Sequence, residues 1–221
     1  LELAWRWAEL ILTPAEESME GCLRRVEAIR AENPDGVYVP QQFENMDNPQ
    51  AHYLTTGPEI WRDLNGRVDA FVSGLGSGGT LAGVGRYLKE QNPKVRITAV
   101  EPKGVSALLG HGPGFHNIQG IGDGFIPDVL DPAIVDQVIE VTDEDAIESA
   151  RFLAKEAGLL VGISAGANYW GARQVARAAG TRAVTWPHSE ELARPPETES
   201  ERTIVTVLPD RAERYFSTAL I

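Results

Sequence analysis

The chain has 221 residues, with 20 Lys and Arg against 32 Asp and Glu, a net charge of -12 that opposes binding to the phosphate backbone of nucleic acid. Its hydrophobic share of 43% is that of an ordinary globular domain; no apolar run reaches membrane-spanning length, and no basic stretch precedes an apolar one at the start. Cys22 is the only cysteine, which rules out an internal disulfide and fits a cytoplasmic location.

Read in chain order, the pattern alternates strand and helix. Leu1–Ala8 carries two tryptophans, no initiator Met and no cap, so the chain reads as one cut within a helix. A short strand is expected at Glu9–Leu12, then a helix at Glu16–Glu32 whose apolar face is Met19, Leu23, Val26 and Ile29; Cys22 sits in it as a core or boundary thiol. A strand at Val37–Val39, a helix within Gln50–Leu64 and a strand at Val68–Ser73 follow. After the helix that runs from Leu81 come strands at Arg96–Glu101 and Val138–Val141 and a helix at Asp143–Gly158, started by Thr142 and the acids Asp143, Glu144 and Asp145. Leu159–Gly162 and Thr203–Leu208 are short apolar runs that suit strands covered on both faces. This alternation predicts an α/β domain with a mostly parallel sheet and helices on both faces. Pro102–Pro127, glycine-rich and without periodicity, is the long loop that such domains keep for function. Ala179–Ser200 reads as a surface insertion.

Two strand-to-helix turns carry the chemistry. Ser73-Gly74-Leu75-Gly76-Ser77-Gly78-Gly79-Thr80 runs from a strand into a helix. There glycines allow positive φ and close backbone approach, and free N–H groups face an anion. A phosphate is the ligand this turn suits, the alternative being a plain connection of strand to helix; Ser77 and Thr80 add hydroxyl donors that a plain turn does not need. The spacing Gly74-x-Gly76-x-x-Gly79, with Glu101 at the end of the next strand, also matches a dinucleotide fingerprint. The second turn, Gly162-Ile163-Ser164-Ala165-Gly166, displays Ser164 at the carboxyl edge of the sheet, either as a helix cap or as a ligand contact. It matches the serine-hydrolase elbow literally but has no partner histidine and acid in recognisable places. His52, His111, His116 and His188 lack metal-ligand spacing and read as structural or surface residues.

Six segments in order resemble cysteine synthase (O-acetylserine sulfhydrylase), of the fold-type II pyridoxal-phosphate enzymes. They are Gln41-Gln42-Phe43, Thr55-Thr56-Gly57-Pro58-Glu59-Ile60-Trp61, Gly76-Ser77-Gly78-Gly79-Thr80, Ile118-Gln119-Gly120-Ile121-Gly122, Gly162-Ile163-Ser164-Ala165-Gly166 and Glu213-Arg214-Tyr215. The resemblance covers nearly the whole chain apart from Ala179–Ser200, and matches the C-terminal two-thirds of that family. It implies a tryptophan synthase β-like fold, truncated at its N-terminus: residues 1–40 as a remnant of the small domain and 41–221 as the large cofactor domain, with 179–200 inserted. It further implies pyridoxal 5'-phosphate as cofactor, held at its phosphate by Gly76, Ser77, Gly78, Gly79 and Thr80 and at its pyridine nitrogen by Ser164. Gln42 would hold the substrate carboxylate and Gly120 would line the site. The implied reaction replaces the acetate of O-acetylserine by sulfide to give L-cysteine. The family also implies a homodimer and, as a partner, serine acetyltransferase, with neither nucleic acid nor membrane involved.

Three departures qualify the resemblance. The family's Schiff-base lysine stands in a segment of about a hundred residues that would precede Leu1, and none of Lys89, Lys94, Lys103 and Lys155 stands in its motif. No catalytic residue is therefore assigned, and the chain alone is expected to be inactive. Asp123 replaces a small residue and would repel an anionic substrate, and Trp7 stands where a turn glycine is expected. Two rivals remain: a lysine-less, non-catalytic binding protein, and a nicotinamide-dependent oxidoreductase resting on the glycine spacing.

Overall fold

The computed structural model describes residues 9–178, 202–215 and 217–220; Trp7, His188 and the expected insertion at 179–200 lie outside them. Two compact units divide between Gln41 and Gln42.

In the first unit, a 3-10 turn at Ala15–Glu17 leads into helix α1, Ser18–Glu32. Met19, Leu23, Val26 and Ile29 form a half-buried stripe, while Arg24 on the outer face pairs with Glu17 at 2.6 Å and Glu20 at 3.4 Å. Cys22 is not a core thiol. It is exposed, with its Sγ 3.3 Å from Thr13 Oγ1. The strands expected at Glu9–Leu12 and Val37–Val39 do not form: neither run pairs with another strand among the described residues, and Leu12 and Tyr38 are 82% and 84% exposed. Apolar composition alone does not make a strand without a neighbour to take its N–H and C=O groups.

The second unit is built on four parallel strands. β1 (Ala70–Gly74) lies between β2 (Arg96–Pro102) and β4 (Ile204–Thr206), and β3 (Gln137–Val141) flanks β2 on the far side, giving the order β3-β2-β1-β4. The register aligns Phe71 with Ile97 and with Val205, and Val100 with Ile139. Alternate residues feed opposite faces of the sheet. Phe71, Ile97 and Ala99 pack with Leu81, Val84 and Leu88 of helix α4, Gly79–Gln91. Val72, Val100 and Val141 pack on the other face with α5 (Asp143–Ala157) and α6 (Ile163–Ala178). Thr142 caps α5 by accepting from Asp145 N at 3.1 Å, and Gly158 ends it at φ 68°.

Two expectations change in detail. The segment Gln50–Leu64, expected to hold a helix, holds parts of two, α2 (Asp47–Leu54) and α3 (Thr56–Asp63), broken at Thr55; Pro58 has no N–H to offer the Leu54 carbonyl, which favours a break there. Leu159–Gly162 is not a strand. It makes one antiparallel bridge, Val161 with Arg211, and Leu160 is 66% exposed rather than covered on both faces. Among the described residues no helix is long and apolar enough to cross a membrane.

Beyond β1 the chain moves outward to β2 and β3, then returns to β4 on the other flank, so the strand order reverses at β1. The crevice at the carboxyl ends of β1 and β4 is the place where open α/β sheets bind ligands. α6 reaches it because small residues let it lie close to its neighbours. A Cβ on Gly166 would stand 2.1 Å from the Ala146 carbonyl oxygen and 2.7 Å from the Ala150 nitrogen of α5. Gly166→Ala is therefore expected to lower stability by about 1–3 kcal/mol through overpacking, read as a fall in the urea midpoint at unchanged slope.

Candidate functional site

The turn after β1 stands in that crevice. Its first N–H, on Gly74, donates to Asn168 Oδ1 of α6 at 2.7 Å, and Asn168 Nδ2 donates to the Val207 carbonyl, just past β4, at 2.9 Å. Leu75 N donates to Val100 O, and Leu75 O accepts from Gly122 N, each at 3.0 Å. From there the turn is free: the N–H groups of Gly76, Ser77, Gly78, Gly79 and Thr80 have no acceptor among the described residues. Gly78 takes φ 84°, which favours glycine, and starts α4. The turn thus presents five consecutive donors and two hydroxyls at a helix N-terminus, the arrangement that binds a phosphate.

Loop 116–124 forms a neighbouring wall. A Cβ on Gly76 would fall 2.3 Å from the Gly120 carbonyl oxygen, so these two predicted residues lie together. His116 holds the loop: its Nδ1 takes the Ile118 N–H at 3.2 Å, and its Nε2 lies 3.1 Å from the Gly122 carbonyl oxygen. Burial pushes the Asp123 carboxyl above its ordinary value, partly offset by His116.

Ser164 lies in the first turn of α6, 4% exposed, and its hydroxyl makes no hydrogen bond among the described residues. Two residues before it, Gly162 makes room for Asp210 and Tyr215: an added Cβ would meet Asp210 Oδ1 at 2.2 Å and Tyr215 Cε2 at 2.5 Å. Tyr215 OH donates to Asp210 Oδ2, and burial followed by that bond pushes its pKa up to about 12. Asp210 Oδ1 is buried with no hydrogen-bond partner among the described residues.

Gln42 stands at the start of the segment that leads to α2. Its side chain is exposed, while its carbonyl accepts from Asn48 Nδ2 at 2.8 Å. That amide also reaches Ser77 Oγ at 3.1 Å, and His52 reaches Thr80 Oγ1 through Nε2 at 3.2 Å. The sequence does not point to Asn48 at all, and His52 reads there as structural; only their four-residue spacing on one helix could have singled out the pair.

The acid that would bind a ribose is already committed. Glu101 is 1% exposed and accepts from Ser106 Oγ at 2.6 Å, Ala107 N at 3.0 Å and Leu108 N at 3.3 Å. This engagement removes the second half of the dinucleotide fingerprint. Of the four lysines, Lys89 pairs with Asp136 at 2.7 Å and Lys155 with Glu156 at 3.7 Å. Lys94 precedes β2, at the opposite end of the sheet, and Lys103 lines a shallow pocket at the start of α5.

A glycine-rich turn with open N–H groups at the switch point of a parallel sheet, joined to α6 through Asn168, is an arrangement that suits a phosphate-bearing ligand. The model of the pyridoxal-phosphate dependent enzymes matches residues 7–186, and the chain belongs to that family. It is 43% identical to a cysteine synthase of Staphylococcus aureus (strain N315) over 214 residues, 96% of this chain. It spans 62% of the length of that relative. The O-acetylserine dependent cystathionine beta-synthase of Helicobacter pylori superposes at a TM-score of 0.79 and 40% identity, over 95% of this chain and 62% of the other. A hydrogen sulfide-producing enzyme of Fusobacterium nucleatum does so at 0.79 and 35%, over 96% and 58%. The fold expected from the resemblance, an α/β fold with a parallel sheet, and the family are both found.

Substitutions at the turn and in its wall probe this geometry separately. Gly76→Ala pushes the Gly120 carbonyl out of place and is expected to weaken phosphate-competitive binding of pyridoxal phosphate at least about tenfold, since several charge-assisted bonds are lost together; equilibrium dialysis measures it. Asp123 binds its proton more tightly folded than unfolded, so its stabilising contribution is complete below pH 3.8 and lost as pH rises through the higher folded value. Asp123→Asn should therefore raise stability at pH 7 and leave it unchanged near pH 3, by urea unfolding.

Proposed function

We propose that this chain is the cofactor-holding part of a cysteine synthase, which replaces the acetate of O-acetylserine by sulfide to give L-cysteine. The observation that carries the reading is the run of five N–H groups at Gly76–Thr80 that have no acceptor among the described residues, placed where the strand order reverses. The residues present suit pyridoxal 5'-phosphate. The turn takes its phosphate; Ser164, buried and without a hydrogen bond among the described residues, takes the pyridine nitrogen. When bound, the cofactor supplies a sink for the electron pair released at the substrate α-carbon. A neutral hydroxyl at the ring nitrogen does not force that nitrogen to be protonated, which suits elimination and replacement at the β-carbon. Gln42 holds the substrate carboxylate, and Gly120, against Gly76, closes the wall beside it.

The same reading makes 41–221 the large domain and 1–40 a remnant of the small one. It places the protein in the cytoplasm as a homodimer, with serine acetyltransferase as a partner. None of Lys89, Lys94, Lys103 and Lys155 stands in the family's lysine motif, so on this reading the Schiff-base lysine belongs to the part of the relatives' length that this chain does not span. Asp123 stands in the loop beside the turn, and its charged form would repel anionic sulfide; burial favours its neutral form and lessens that repulsion. The oxidoreductase rival has no supporting observation once Glu101 is engaged.

Titrating the chain with pyridoxal phosphate tests the reading. Expected are binding displaced by inorganic phosphate, no Schiff-base chromophore, and no single lysine labelled after borohydride reduction. Reductive labelling at one lysine would overturn the absence of a catalytic lysine. Binding of NAD without binding of pyridoxal phosphate would overturn the family role.

A further inference from the structure

Helix α2 lies against the anion turn and touches both of its hydroxyls. Asn48, in the first turn of α2, sends Nδ2 to the Gln42 carbonyl at 2.8 Å and to Ser77 Oγ at 3.1 Å. A carbonyl oxygen can only accept, so the amide must face Gln42 with its NH2 group. Ser77 Oγ therefore accepts from Asn48, and its own hydrogen is left to donate elsewhere. One turn further along the same face, His52 stands between Thr56 Oγ1, 2.9 Å from Nδ1, and Thr80 Oγ1, 3.2 Å from Nε2.

A neutral imidazole in that position has two states. If Nδ1 carries the proton, it donates to Thr56, and Thr80 must turn its hydrogen back toward Nε2. The lone pairs of Thr80 would then face the turn and repel an anion. If Nε2 carries it, Thr80 Oγ1 accepts from the ring, its hydrogen is free for the anion, and Thr56 donates to Nδ1. Burial holds the imidazole below its ordinary pKa and so keeps it neutral. Neither contact involves the ligand, and both act on the two groups that do.

We propose that Asn48 and His52 are positioning residues which fix the proton polarity of the cradle: both donate to the turn hydroxyls, so that Ser77 and Thr80 are held as donors to a phosphate, with His52 as the Nε2–H tautomer. The inference rests on the phosphate site proposed above and adds the groups that prepare it.

Binding of inorganic phosphate and of pyridoxal phosphate to the full chain provides the test, together with the nitrogen chemical shifts of His52 in the free wild-type chain at pH 8. The shifts should show a protonated Nε2 and an unprotonated Nδ1, a readout that needs no variant and no ligand. His52→Ala should weaken phosphate binding about tenfold, and His52→Gln, whose amide nitrogen can take the place of Nε2, should stay within about threefold. Thr80→Val should cost about tenfold, and adding His52→Ala to it should cost nothing more, because no hydroxyl remains to orient. The same cycle applies to Asn48→Ala with Ser77→Ala. An Nδ1–H tautomer, or additive losses in both cycles while the wild type binds phosphate, would overturn the orientation and leave the site standing. A wild-type chain that binds neither phosphate nor pyridoxal phosphate would overturn the site, and the orientation with it.

Discussion

The amide of Asn168 is the interaction on which the second unit's architecture turns. At 2% exposure it spans the crevice between β1 and β4, taking the Gly74 N–H with its oxygen and giving its NH2 to the Val207 carbonyl. Both backbone groups lie where the strands part and can no longer pair with each other, and leaving either unpaired in the interior would cost about 1–3 kcal/mol. One side chain satisfies both and sets the distance between the strands. It can do so because α6 lies near: Gly166 rests on α5, and a Cβ on Gly171 would stand 2.5 Å from Val100 Cγ2. The small residues of α6, which in the sequence look like features of a turn, are what bring Asn168 to the edge of the sheet.

From that edge the chemistry builds in layers. Among the described residues nothing accepts from the N–H groups of Gly76–Thr80, so these donors stay open. Gly120 backs it from loop 116–124, and α2 backs it from the other element it touches, through Asn48 and His52. The affinity of such a cradle for an anion depends less on the number of donors than on their being aimed before the anion arrives.

Sequence reading finds what depends on local pattern. The parallel sheet, the Thr142 cap, the anion turn and the second turn at Ser164 all announce themselves through periodicity, capping residues and glycine spacing within a few positions. It overstates strands at Glu9–Leu12, Val37–Val39 and Leu159–Gly162, because pairing is a property of neighbours that a single run does not reveal. Cys22 is misplaced for a related reason: a stripe spaced for a helix shows its core face, but not which boundary positions the fold leaves open. Asn168, Asn48 and His52 give no such signal. Asn168 meets Gly74 across 94 residues, and Asn48 meets Ser77 across 29, so only the folded chain brings them together.

Glu101 shows where the identity of a phosphate-bearing ligand is decided. A strand, a glycine turn and a helix make a portable device, equally at home beneath a nucleotide or a vitamin derivative. The end of the neighbouring strand is less portable. Here its terminal acid is enclosed and supports the start of the loop through Ser106, Ala107 and Leu108. Exchanging ligand classes would mean freeing that acid and finding new partners for three donors, a change of several coupled substitutions with no intact intermediate. The chain's commitment to one cofactor is thus written one strand away from the phosphate, in a residue that need not touch it.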